Sequence, residues 1–196
     1  MARKRKRSEQ RDVTRARFVA VAKGLFTEAG YDGTSIAMVC RRARVTHGAL
    51  YHHFPGKLQL FEAVLEQVTA GLVEGMARAV AGAKGLERIE RALDAYLTAC
   101  GDPSVQAVLL RDGPRVLERA KFDAIDHAAN EPFVTGLLQA AIDEGVLRPH
   151  DVKVVGRVIG AACAEAGVAL AGAEDRDAVR REVKALFSGW LSSLKK

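Results

Sequence analysis

The sequence carries little with which to build a covalent or catalytic centre. Its three cysteines, Cys40, Cys100 and Cys163, are odd in number, far apart and each set within an apolar helical stripe. That spacing excludes a disulfide framework or cysteine metal cluster as the organising feature, and each thiol reads as a small buried hydrophobe. The chain has no C-x-x-C, H-E-x-x-H or G-x-S-x-G, and no phosphate-cradling glycine loop of either common spacing. An enzyme is therefore not expected, and nothing calls for a cofactor or a metal. The paired imidazoles His52 and His53 do not change this, because adjacent helical residues point about 100° apart and no third ligand is near in sequence. His127 and His150 are scattered and read as surface residues. There is no uninterrupted run of about 18 apolar residues, the usual minimum for a membrane span. The start M-A-R-K-R-K-R-S-E-Q-R has charge but no apolar stretch behind it, so it is not a secretory signal. The expectation is a cytoplasmic protein with no membrane partner. Strand-like alternation of useful length and internal repeats are missing too, which leaves an all-α fold.

What the chain does have is charge, unevenly placed. Residues 1 to 60 hold 13 Lys/Arg against 4 Asp/Glu, a balance of +9, whereas residues 61 to 196 hold 17 against 20, a balance of −3. A basic head draws polyanions at long range. A near-neutral aliphatic body is the composition of a packed helical domain. Residues 1 to 11 are too polar to order themselves and are expected to form a disordered basic arm, able to lie along DNA.

The most informative stretch runs from Thr34 to Lys57. Ile36, Val39, Cys40 and Ala43 recur at i, i+3, i+4, i+7 and give one apolar helical face, with Arg41 and Arg42 turned outward. Thr34 or Ser35 can cap its start. After a turn at Arg44-Val45, Thr46 can cap a second helix of about two turns, which points Val45, Leu50 and Phe54 inward and leaves His47, Tyr51 and His52 outside. Pro55-Gly56 ends it. An exposed imidazole, phenol and glycine on so short a helix are poorly explained by core packing. They suit a helix that enters a major groove, with Gly48 allowing close backbone approach. An ordinary helical hairpin is the plainer alternative.

The segment from Gly30 to Phe61, with Leu25-Phe26-Thr27-Glu28-Ala29 before it, resembles the DNA-binding segment of TetR-type (TetR/AcrR) transcriptional regulators. The likeness is colinear and ungapped over about a third of the chain. One residue departs from the family pattern: Arg44 stands where the turn usually carries glycine. A left-handed arginine there is mildly strained, so either the turn differs or Arg44 is kept for a phosphate.

Three regions are therefore expected: the basic arm over 1 to 11, a three-helix helix-turn-helix domain over 12 to 57, and a helical effector-binding and dimerisation domain over 58 to 196, about nine helices in all. The first helix should run from about Asp12 to Ala29 and stop at Gly30. A long helix beginning at Lys57 would act as a lever between head and body, and Pro132 should break or kink a later one. Phosphate contact is expected from Thr34, Ser35, Thr46, Tyr51 and Lys57, with Arg44 beside them, and base-edge contact mainly from His47, Gly48 and His52. Specificity requires a homodimer on a palindromic double-stranded operator. Its candidate face is the small-residue row Gly156, Gly160, Ala164 and Gly167 with Phe187, Trp190 and Leu191, although the same stripes would also serve as core. Pairing through an equivalent bundle is what the family resemblance implies. Tyr96, Cys100, Val108, Leu109, Phe122, Phe133, Leu137 and Cys163 come from four helical segments and could line a cavity for a small apolar effector, again as the resemblance implies. The function expected is a repressor released by such a ligand. Its alternatives are a regulator without an effector, a non-specific DNA-compacting protein and an unfamiliar helical enzyme.

Overall fold

The computed structural model describes residues 2–196, with side chains described from Gln10 onward. It contains nine α-helices and one π-helical segment among the described residues. In order, these are α1 (Ala2–Gly33), α2 (Ile36–Ala43), α3 (His47–Tyr51), α4 (Lys57–Ala79), α5 (Gly85–Ala99), the π-helical segment Val105–Asp112, α6 (Gly113–Val116), α7 (Arg119–Asp143), α8 (Val152–Gly172) and α9 (Arg176–Ser193). The only extended pairing among them is an isolated bridge between Leu147 and Lys195.

Two expectations about helix boundaries are corrected. The disordered arm expected over residues 1 to 11 lies mostly outside the described side chains, but its backbone from Ala2 continues α1. The reason is local: residues 2 to 23 contain no glycine or proline, and Arg, Lys, Gln, Glu and Ala favour the helix. Further along, α7 runs unbroken through Pro132. Pro132 and Ala128, whose carbonyl loses its intrahelical donor, are both exposed, so water can complete the bonding.

Gly30 ends the first part of α1 as expected. Its φ of 72° and ψ of 176° turn the chain before a last short turn to Gly33. The head packs Phe18, Ala22, Leu25 and Phe26 of α1 against Val39, Cys40, Ala43, Leu50 and Phe54, all nearly inaccessible. The core does not divide at residue 57. Leu60, Phe61 and Val64 of α4 complete the head, while Val68, Leu72 and Met76 of the same helix enter the body in one continuous buried cluster. Its 23 residues span about 35 Å at about 1.5 Å per residue, so a single rigid element joins both ends of the molecule. In the body α4 packs on α5 and α7, and α8 packs on α7, α9 and the π-helical segment.

Candidate nucleic-acid interface and internal cavity

The reading unit is built by side-chain caps. Ser35, in extended conformation, accepts the Met38 N–H at 3.2 Å and starts α2. The helix closes where Arg44 adopts φ 54° and ψ 51°, with its N–H on the Arg41 carbonyl (3.2 Å) and the Val45 N–H on the Cys40 carbonyl (3.0 Å). This is a Schellman closure, whose left-handed position suits glycine and costs a side-chain-bearing residue about 1 kcal/mol. Of the two alternatives the sequence leaves open, the turn keeps the left-handed geometry and arginine occupies it, exposed. Arg17 of α1 donates to the Ala43 carbonyl at 2.8 Å and holds the turn from behind.

Thr46 accepts the Ala49 N–H at 3.3 Å and starts α3, a helix of only five residues. Leu50 and Phe54 are buried beneath it. His47, Gly48, Tyr51 and His52 are exposed, and a Cβ built on Gly48 meets nothing within 4 Å. The two imidazoles divide as their angular separation requires. His52 faces out, whereas His53 turns in, its ring 5.4 Å from that of Phe18 and its Nδ1 buried with no partner among the described residues. Burial, aided by the charges of Arg11, His52 and Arg15, lowers the His53 pKa and favours the neutral ring. Lys57 is half-buried, its ammonium 4.0 Å from the Tyr31 ring centroid. Thr34 is not on this surface: it is 2% exposed and its hydroxyl donates to the Gly30 carbonyl at 2.8 Å, so its side chain locks the end of α1.

A junction that sequence reasoning missed ties this head to the body. Asp112, at the end of the π-helical segment, is almost wholly buried and accepts the Tyr31 N–H at 2.7 Å. Burial alone would raise its pKa. The hydrogen bonds from Arg111 and the Tyr31 amide, with the charges of Arg111 and Arg115, outweigh that and hold it below the usual carboxylate range. Arg115 also reaches Asp32 at 2.8 Å. Gly30 is needed here, because besides its positive φ an added Cβ would lie 3.1 Å from Arg111 Nη2 and 3.4 Å from Asp112 Oδ2. No periodicity in the sequence marks a contact between residues 81 positions apart.

On the other side of the π-helical segment lies a cavity of about 270 Å³ between α4, α5, α7 and α8. Tyr96, Leu109, Phe122, Phe133, Leu137 and Cys163 line it as expected, joined by Leu72 and Met76 of α4. Cys100 and Val108 do not reach it. Both are fully buried behind the wall, where Cys100 packs under Gly167, on which a Cβ would lie 2.7 Å from the Tyr96 hydroxyl and 3.0 Å from Cys100 Sγ. Burial drives the Tyr96 phenol far above its normal pKa and pushes the Cys163 thiol up to about 12, so both stay protonated. The few polar groups on the wall include Asp126 and Asn130, whose amide donates to Asp126 Oδ1 at 2.7 Å.

The expected pairing face is rearranged. Gly156 packs under Val134 and Thr135, Gly167 abuts Tyr96, and Phe187 and Leu191 are buried within the chain. The smallness of Gly167 and the bulk of Phe187 and Leu191 serve intramolecular packing. Gly160, Ala164 and Val168 are exposed where they line the mouth of the cavity, whereas Val154, Val158, Leu186 and Trp190 are exposed outside its lining. By length and composition alone α8 is long and apolar enough to cross a membrane, and 17% of that stretch is buried in the chain.

Residues 18–64 match the family described as bacterial regulatory proteins, tetR family, and residues 86–194 match the Tetracyclin repressor-like C-terminal domain. The HTH-type transcriptional regulator UidR of Escherichia coli is 24% identical over 140 residues, covering 69% of this chain and 70% of UidR. A TetR-family transcriptional regulator from Pectobacterium atrosepticum superimposes with a TM-score of 0.81 at 29% identity, over 95% of this chain and 96% of that one. The Bacillus subtilis regulator FadR, solved with stearoyl-CoA, shares the fold with a TM-score of 0.71 at 18% identity, over 87% and 96% of the two chains. The helix-turn-helix geometry and the matches over both halves make this chain a member of the TetR family of DNA-binding transcriptional regulators.

Proposed function

We propose that the protein is a homodimeric repressor that reads a palindromic operator with α3 and is released when a small, largely apolar ligand fills the body cavity. The observation that carries the reading is α4: Leu60 and Phe61 near its start are core residues of the head, and Leu72 and Met76 near its end are cavity wall. A ligand that displaces the far end would carry the near end with it, since both ends are packed in one buried cluster and packed cores switch between arrangements rather than deform continuously.

Base-edge contact is assigned to His47, Gly48 and His52, and phosphate contact to Ser35, Arg44, Thr46, Tyr51 and Lys57. Lys57 has the Tyr31 ring on one side of its ammonium, which fixes where the charge sits. The dimer is assigned to the exposed row Val154, Val158, Leu186 and Trp190, beside the cavity mouth that Ala164 and Val168 line, an apolar patch of the kind that marks an interface. A two-fold pair would place the two α3 helices on half-sites about 34–36 Å apart or a multiple of that. That one protein of this fold was solved with stearoyl-CoA supports a ligand-holding body in general, not that ligand here.

The test uses an operator selected from random DNA. Lys57→Ala should weaken binding to every sequence and flatten the salt slope by about one unit, whereas changes at His47 should redistribute preference among operators. Uniform loss from both would remove the base-reading assignment. A regulator controlled only by its abundance is the second reading, and it gains if no compound that stabilises the protein alters operator affinity.

A further inference from the structure

Resting on the cavity being an effector site, we propose that its ligand is a small one- or two-ring apolar amine, bound as the ammonium against Asp126. Volume sets the size: a pocket of about 150 Å³ holds one benzene ring, so about 270 Å³ suits one or two rings. The wall sets the body of the ligand, since Tyr96, Phe122, Phe133 and Phe187 bring four aromatic rings among aliphatic side chains.

Charge sets the polar end. Two carboxylates, Asp126 and Glu165, line the cavity, and the one cation on its wall among the described residues, Arg119, is held by Asp123, its Nε 2.8 Å from both carboxylate oxygens, with its side chain largely in solvent. Asp126 has a single side-chain partner, the Asn130 amide, and burial raises its pKa despite that bond and the charge of neighbouring His127. A carboxylate desolvated with one neutral partner has its solvation cost unrelieved. A ligand ammonium would relieve it, and aromatic rings beside a cation add attraction. A carboxylate ligand would instead meet two like charges.

The test is calorimetric binding of phenethylamine and naphthylethylamine, each with the matching alcohol and arylacetate, to the full chain and to Asp126→Asn and Glu165→Gln. On the unaltered protein at least one amine should bind about tenfold or more tighter than its alcohol, and the arylacetates should bind weakest. Asp126→Asn should remove that tenfold preference and leave the alcohols unchanged, whereas Glu165→Gln, at the exposed rim, should affect the amines less. Unliganded Asp126→Asn should melt no lower than the parent near neutral pH. Alcohols and amines binding equally, or amine affinity surviving Asp126→Asn, would overturn the ammonium assignment while leaving the cavity as an effector site. If no skeleton bound at all, the amine assignment would fall, whereas the effector reading falls only if no stabilising compound alters operator affinity.

Discussion

Replacing Gly48 by alanine separates the protein's stability from its reading function. The position is in α3, exposed, and a Cβ there meets no atom within 4 Å, so the free protein has room for the methyl group. Glycine in a helix costs roughly 0.5–1 kcal/mol relative to alanine, and Gly48→Ala should recover about that much. For a chain of 196 residues this is a rise in Tm of about 1–4 °C. On DNA the same methyl group would occupy space that the reading assigns to the groove wall. Forced overpacking costs typically about 1–3 kcal/mol, which weakens operator binding by roughly 5- to 150-fold. The assay pairs a thermal melt with anisotropy titration on the selected operator at one salt concentration. A variant that melts higher and binds as tightly as the parent would refute close approach of α3 to DNA.

Arg44→Gly relieves the left-handed strain and should be neutral to about 1 kcal/mol stabilising in a denaturant melt, while losing affinity for all DNA sequences alike if Arg44 meets a phosphate. Asp112→Asn keeps an acceptor for the Tyr31 N–H but removes the charge that Arg111 and Arg115 compensate, and should cost on the order of 1.5 kcal/mol near pH 7. The sign follows from the lowered pKa. The Asp112 contribution is fully present above the unfolded-state value of about 3.9 and is lost as pH falls through the lower folded value, so parent and variant should converge in acid. Disruption of the outward row with Val158→Glu should yield a folded monomer by sedimentation and leave the melting of the chain's own core little changed, since Val158 is 60% exposed.

Helix existence and inward faces were legible because they are local. The i, i+3, i+4, i+7 recurrence of Ile36, Val39, Cys40 and Ala43 named α2's buried side, and Thr46 named the start of α3. What the sequence left open depends on distant partners. Gly156 and Gly167 have the composition of an interface between subunits, yet both face neighbours of the same chain, and Gly167 must be small because Tyr96 and Cys100 press on it. Thr34 looked like a surface cap, and it is the Gly30 turn that brings a carbonyl to its hydroxyl. Asp112 stands before Gly113 and Pro114, and nothing local reveals the Tyr31 amide it serves. Cys100 lies in an apolar helical stripe, and the close approach of α8 at Gly167 turns it into the layer behind the cavity wall rather than part of it.

The central claim is that cavity and operator are coupled through α4, and coupling free energy is reciprocal. The direct measurement is the affinity of a cavity-binding compound with and without saturating operator, alongside the operator's affinity with and without saturating compound. The account predicts that the compound weakens operator binding and that bound operator weakens the compound's binding by the same factor, about 5- to 150-fold for a coupling of typical size. A compound that occupies the cavity tightly and leaves operator affinity unchanged would contradict it.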